Sequence, residues 1–292
     1  MFPHLVARLF DTPLMMEPGK AAVIADALGP RLLGHPVSLH GVEMGVLGNP
    51  LYREEAEYVR PDIIDGVAII PVEGSLVAKG KWVNSYSGET SYEGIQAQIA
   101  SVRADRGVRG VVLEVDSFGG EAAGAFSCAE AIHALAAEKP TIAILTENAC
   151  SGGYLLAAAT RAIVIPETGH AGSIGVVTMH ASVAGALEKA GVDVTIIKSG
   201  AHKADFNPYE KLPTSVARQV QADMDSMRDL FAVTVARYRG GRLSRDAALE
   251  TEAAVYRGAA ALAAGLVDAV ADPIEAFAAF VAEIGRSATI PA

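Results

Sequence analysis

From residue 66 onward, short and nearly continuous apolar runs alternate with longer stretches whose apolar positions recur every three or four residues. GVAIIPVEGSL (66–76), GVVLEVDS (110–117), TIAILTE (141–147) and AIVIPE (162–167) are rich in β-branched residues and predict strands. Between them, EAAGAFSCAEAIHALAAE (121–138) places Phe126, Ala129, Ile132 and Leu135 on one helical face. ENACSGGYLLAAAT (147–160) is a polar loop passing into a helix of small and apolar residues. VAGALEKAG (183–191) and DVTIIKSG (193–200) repeat the helix and strand pattern. Beyond Pro213, a long amphipathic helix is spelled out by Val216, Val220, Met224, Met227, Phe231 and Val235, and GGRLS (240–244) ends it. A small α segment over 246–284 closes the chain.

Runs such as TIAIL suit parallel strands buried on both faces, and the helices between them supply the crossovers of βαβ units. The expectation is an α/β fold with one domain over 66–292 and C-terminal helices. Residues 1–65 are irregular, punctuated by Pro and Gly, and read as an N-terminal arm with one helical candidate, PGKAAVIADALG (18–29).

Composition narrows the class. At 292 residues there is ample chain for a large core. Half of the residues are hydrophobic but only 6% are aromatic, which favours closely packed helices on a sheet over an aromatic binding surface. A formal charge of −10 argues against nucleic acid as the partner, since phosphates need a basic stripe. Cys128 and Cys150 are too few for a disulfide framework, and neither CxxC nor HExxH occurs. No metal or other cofactor is signalled. The N-terminus lacks the pattern of a secretory signal, and no apolar run reaches the roughly 18 residues of a membrane span. A cytoplasmic protein without a membrane anchor is expected.

Ser151 is the first chemical candidate. A serine at a helix start beside Gly152 and Gly153 has free amides and the positive end of a helix next to it, as an acylated nucleophile requires. An ordinary N-cap serine would read the same. Cys150 is a rival nucleophile. Gly119 and Gly120, in EVDSFGGEAAGAF, read as a strand–turn–helix junction whose amides would form the other half of an oxyanion hole, or merely as a tight connection. For the base, His133 falls within a helix, His4, His35 and His40 in the arm, and His170, His180 and His202 near loops. IIKSGAHKADFNPY offers Lys198 and Lys203 at the end of a strand. A lysine acts as base only if burial lowers its pKa, and by itself the stretch reads more readily as two solvated lysines.

Together DSFGG, CSGGYLLAAA, GHAGSIGVV, LEKAGVDVTIIKSGAHKADFNP and TEAAVYRGAAALAAGLVD resemble the S49 serine peptidases, the signal peptide peptidase A family, over roughly residues 66–272. PLMMEPGKA, YSGETSYEGI, HKADFNPY and TEAAVYRG are similar to the phage branch of that family, the lambda-type head-maturation proteases. The resemblance implies a ClpP/crotonase-like fold and a Ser-Lys dyad, with Ser151 as nucleophile and Lys203, not Lys198, as base. It implies an oxyanion hole at Gly119, Gly120 and Gly152, with Ser173 of GSIGV orienting the lysine. Polypeptide substrates among scaffold, portal or capsid proteins are implied, as is a homo-oligomer, with the dyad completed either within one subunit or between neighbours. A crotonase-type acyl-CoA enzyme would share the fold but has no use for the serine and lysine. A non-catalytic capsid component would share it too, and a general signal-peptide-peptidase-like protease would keep the chemistry but not the capsid role.

Overall fold

The computed structural model describes residues 12–17, 38–39, 42–43, 60–80 and 88–287. Its strands are β1 (Leu14–Met16), β2 (Ser38–Leu39), β3 (Val42–Glu43), β4 (Asp62–Ile64), β5 (Val67–Val77), β6 (Glu89–Ser91), β7 (Gly110–Glu121), β8 (Thr141–Cys150), β9 (Ala162–Ile165), β10 (His170–Gly172), β11 (Val255–Arg257) and β12 (Ala269–Val270). The helices are α1 (Tyr92–Ala104), α2 (Ala125–Glu138), α3 (Gly152–Ala158), α4 (Ala184–Lys189), α5 (Thr214–Arg239), α6 (Arg245–Glu250), α7 (Gly258–Ala263) and α8 (Pro273–Ser287). The helical candidate at 18–29 lies outside the described residues, as do His4, His35 and His40.

The central strands β5, β7 and β8 pair in parallel, joined by α1 and α2 as βαβ units. Along β7 the side chains alternate between two layers. Val111, Leu113 and Val115 join the main core with α1, α2 and α3, while Val112 meets Val67, Ile142, Ile144 and Val164 beneath Ala276, Phe280 and Ile284 of α8. Burial on both faces explains why these strands carry almost unbroken apolar sequence.

β7 and β8 are longer than the pattern predicts, and their extra length positions the site. Register shifts at Glu73/Ser75 and Val115/Ser117 bend the ladder. β8 then pairs with β9 through Ile142–Ile144 and with β10 through Asn148–Cys150. β7 runs straight through Gly119 and Gly120 to Glu121, so the expected turn at the glycine pair is instead strand, and the helix begins only at Ala125.

Two further departures matter. The expected strand at 193–200 does not form, and Ile197 is 95% exposed there. A strand needs an edge to pair with, and this segment pairs with no strand among the described residues. The C-terminal segment, read as helical, also contributes β11 to β10 and β12 to β9. It is anchored by Arg239 of α5, which is fully buried and holds Asp268 through two hydrogen bonds of 2.7 and 2.9 Å. Burial alone would raise the Asp268 carboxyl. The Arg239 contacts, with Ile163 N–H and Arg242, outweigh it and hold that carboxyl below its ordinary range.

Candidate active site

β8 delivers Ser151 to the first turn of α3. The serine is fully buried and adopts φ 54°, ψ −118°, a conformation that costs a residue with a Cβ about 1–3 kcal/mol. It is held there from both sides, its N–H donating to Gly172 O at 2.8 Å and its carbonyl accepting from Leu155 N at 3.0 Å. The side chain does not cap α3, so the N-cap reading does not explain it. Oγ donates to Gly175 O at 3.4 Å, the long end of a hydrogen bond. Such a strained strand-to-helix corner, with a loosely held hydroxyl, is the geometry that presents a nucleophile.

The two glycines after Ser151 have separate reasons. A Cβ on Gly153 would stand 2.9 Å from Ser117 O, so Gly153 lets α3 lie directly on β7. A Cβ on Gly152 would stand 3.1 Å from the Tyr92 hydroxyl and 3.3 Å from Met15 O. Tyr92 is buried and donates to Glu121 O at 2.8 Å, fixing the floor of the site. As the first residue of α3, Gly152 carries an amide with no acceptor inside the helix.

On β7, Gly119 N–H donates to Ser117 Oγ at 3.1 Å, and that hydroxyl donates to Gly74 O at 2.7 Å. This amide is already committed, which corrects the expectation that Gly119 supplies an oxyanion donor. Its role is steric: at φ 92° a Cβ would stand 1.9 Å from Met15 O and 2.9 Å from Gly152 N. The amides left for an oxyanion are those of Gly120 and Gly152.

Cys150, the rival nucleophile, is buried, and its thiol is pushed up to about 12 by burial, with Glu17 and Asp116 adding to it. A thiol so far above neutrality is a poor source of thiolate. Among the described residues, His133, His180 and His202 are engaged away from Ser151. His133 packs its ring 4.5 Å from that of Tyr238, His180 contacts Asn207 O at 2.9 Å, and His202 pairs with Asp205 at 2.7 Å. Among the described residues no histidine hydrogen-bonds Ser151.

Ser173 is 3% exposed and adopts φ 54°. It lines a cavity of about 210 Å³ beside the site, with Met16, Gly175, Arg228 and Glu252. Lys203 is not brought to Ser151 by a side-chain contact. It lies in an exposed run, its N–H bonded to Gly200 O at 3.3 Å, and among the described residues its ammonium has no hydrogen bond or ion pair. Lys198, also exposed, donates to Ala201 O at 2.9 Å. Sequence reasoning missed Leu14–Met16 of β1, which lies on Gly119–Glu121 at the edge of the site. Its sequence signals are a short apolar triplet between Pro13 and Glu17 and its place in the motif PLMMEPGKA, neither of which gives it a strand period.

Among the described residues no group of His, Cys, Asp and Glu could hold a metal ion, and no helix is long and apolar enough to cross a membrane.

Comparison with known proteins points the same way. Peptidase family S49 matches residues 133–283. Head-tail preconnector protein GP5 of enterobacteria phage P21 is 39% identical over 99% of this chain and 59% of its own length. Capsid assembly protease C of Escherichia phage lambda is 38% identical over 94% of this chain and 64% of its own. The chain thus spans about three fifths of these relatives. Among solved structures, a membrane-bound stomatin-specific protease in complex with a substrate peptide overlays with a TM-score of 0.45 at 17% identity, covering 74% of this chain and 78% of the other. The fold is α/β, with parallel βαβ units at its centre.

Proposed function

Because this chain belongs to peptidase family S49, we propose that it is a serine endopeptidase in which Ser151 is the nucleophile and Lys203 of a neighbouring copy is the general base. The observation that carries the reading is the strained, buried Ser151 at the β8–α3 corner, with the Gly152 amide directly after it and Gly119 of β7 packed against that amide. Its substrates are polypeptides, which we place among the scaffold, portal or capsid proteins of a phage or prophage head in the host cytoplasm. The similarity to a capsid assembly protease and a head-tail preconnector protein supports that choice.

In this mechanism neutral Lys203 takes the Ser151 proton as Oγ adds to a peptide carbonyl. The carbonyl oxygen gains charge facing two fixed amides, a contribution worth about 10²–10³ in rate per donor. The lysine then protonates the leaving amine, and water releases the acyl group. The lysine can take a proton near neutrality only when buried away from water. The exposed position of Lys203 in one chain therefore requires a second surface to cover it. Val192 and Val194, about half exposed, and Ile197 share its segment and supply apolar area for that contact. Ser173, which lines the adjoining cavity, is the hydroxyl we assign to the incoming ammonium.

Wild type, Ser151→Ala and Lys203→Ala are compared against casein and a fluorophosphonate probe. Loss of hydrolysis and labelling in both variants at unchanged oligomeric state is the expected result. Equal behaviour of all three overturns the assignment.

A further inference from the structure

The strand missed in the sequence lies where a substrate would lie. β1 pairs antiparallel with the end of β7, in the register Leu14↔Glu121, Met15↔Gly120 and Met16↔Gly119. Glu17 N donates to Phe118 O at 2.8 Å, and Ala122 N donates to Pro13 O at 3.3 Å. Hydrogen-bonded pairs alternate in an antiparallel ladder, so the pair between these two, Met15 and Gly120, exchanges both of its bonds. The Gly120 amide therefore holds the Met15 carbonyl. On the other edge, Leu14 N donates to Val177 O at 2.8 Å and Val177 N donates to Leu14 O at 2.9 Å. The segment is bonded along both edges, as an extended peptide is bound by strand addition.

Three observations single out one bond of this segment. The Met15 oxygen lies 1.9 Å from where a Cβ on Gly119 would be and 3.3 Å from one on Gly152, so glycine at 119 is what admits it and a side chain at 152 would crowd it. The Leu14 carbonyl is turned the other way, to Val177. Leu14, Met15 and Met16 are 2, 0 and 8% exposed, so the walls of the cleft enclose the apolar side chains on both sides of the bond.

We propose that residues 13–17 are a substrate supplied by the chain itself, and that the enzyme cuts its own Met15–Met16 bond. This rests on the reading of Ser151 as nucleophile given above. Ser151 Oγ adds to the Met15 carbonyl carbon, the bond to the Met16 nitrogen breaks, and the Met16 amine leaves with the proton from the base. Water then hydrolyses the Met15 ester, returning Ser151 to its hydroxyl form and freeing a Met15 carboxylate. The processed chain begins at Met16, and departure of the strand opens the cleft to other polypeptides.

The test is to incubate the assembled full-length chain and follow intact mass and N-terminal sequence, alongside casein hydrolysis and fluorophosphonate labelling. Wild type is expected to accumulate a chain starting at Met16, while Ser151→Ala keeps residues 1–15. Met15→Leu preserves the cut. Met15→Asp loses it, because a carboxylate cannot enter a fully enclosed site. If Met15→Asp fails to fold, wild type against Ser151→Ala still decides. An enzyme that labels and digests casein but keeps residues 1–15, or cuts itself at another bond, overturns this proposal and leaves the peptidase reading standing. A chain that neither labels, digests casein nor shortens overturns both.

Discussion

The surroundings of Ser151 and the segment from 178 to 213 differ in nearly every physical respect. Around Ser151, β7, β8 and α3 are packed until a Cβ would collide with backbone at 119 and 153 and crowd its neighbours at 152, and each backbone group of the serine has a partner in the same chain. The segment 178–213 contains one short helix, α4, with no buried residue, and a β-branched run that pairs with no strand among the described residues. Packing of the first kind is complete in one chain. The second kind leaves apolar side chains in water, with Ile197 almost wholly exposed, and becomes favourable only when a second surface covers it. The nucleophile thus belongs to a finished site, and the proposed base to an unfinished one.

The comparison can be broken most decisively by mixing. Ser151→Ala and Lys203→Ala should each lower kcat/KM by roughly 10⁴–10⁶. Co-assembled in equal amounts, they should recover a measurable fraction of wild-type hydrolysis, because some interfaces join an intact serine to an intact lysine. No recovery in mixed oligomers would place both residues of the dyad in one chain.

Arg239→Ala removes one partner of a buried ion pair and should destabilise the fold by about 3–5 kcal/mol, read by denaturant unfolding. The pH dependence follows from Asp268. Its carboxyl is held below its unfolded value, so the stabilisation is fully present above the unfolded value. It is lost as the pH falls through the lower, folded value. Arg239→Ala should therefore flatten the acid limb of the stability profile.

Gly153→Ala probes the finished side at higher resolution. The added methyl meets Ser117 O at 2.9 Å, and overpacking of this kind costs about 1–3 kcal/mol, visible as a lower Tm with reduced fluorophosphonate labelling. The smallest stability effect is expected at Ile197→Ser. On a side chain 95% exposed, the change should stay within about 0.5 kcal/mol for the isolated chain. Sedimentation should nevertheless show weaker oligomers, and hydrolysis should fall with them. An unchanged assembly would remove this segment from the interface.

Much of the central architecture was legible because burial leaves a period in the sequence. The apolar runs at 66–76, 110–117 and 141–147 correspond to β5, β7 and β8, and the face of Phe126, Ala129, Ile132 and Leu135 to α2. The long helix after Pro213 is present, although it is solidly buried only from Phe231. What failed was local. The glycine pair after Phe118 is a turn signal in isolation, yet ladders to β5 and β1 on either side carry the strand through it. The run at 193–200 has strand composition without a strand to join. Leu14–Met16 is too short to show a period, and its place depends on β7 and Val177, more than a hundred residues away.

The sequence by itself determined which segments are core strands and helices, that Ser151 stands among residues small enough for a close approach, and which family the chain resembles. Hydrophobic periodicity and residue size are local properties that survive without a fold. Only the tertiary structure decided that Ser151 is strained and buried and does not cap its helix, that the Gly119 amide is spent on Ser117, and that the chain's own Met15 carbonyl lies on Gly120. Each of these is a pairing between groups far apart in sequence, and such pairings exist only once the bent ladder of β7 and β8 has brought the two ends together.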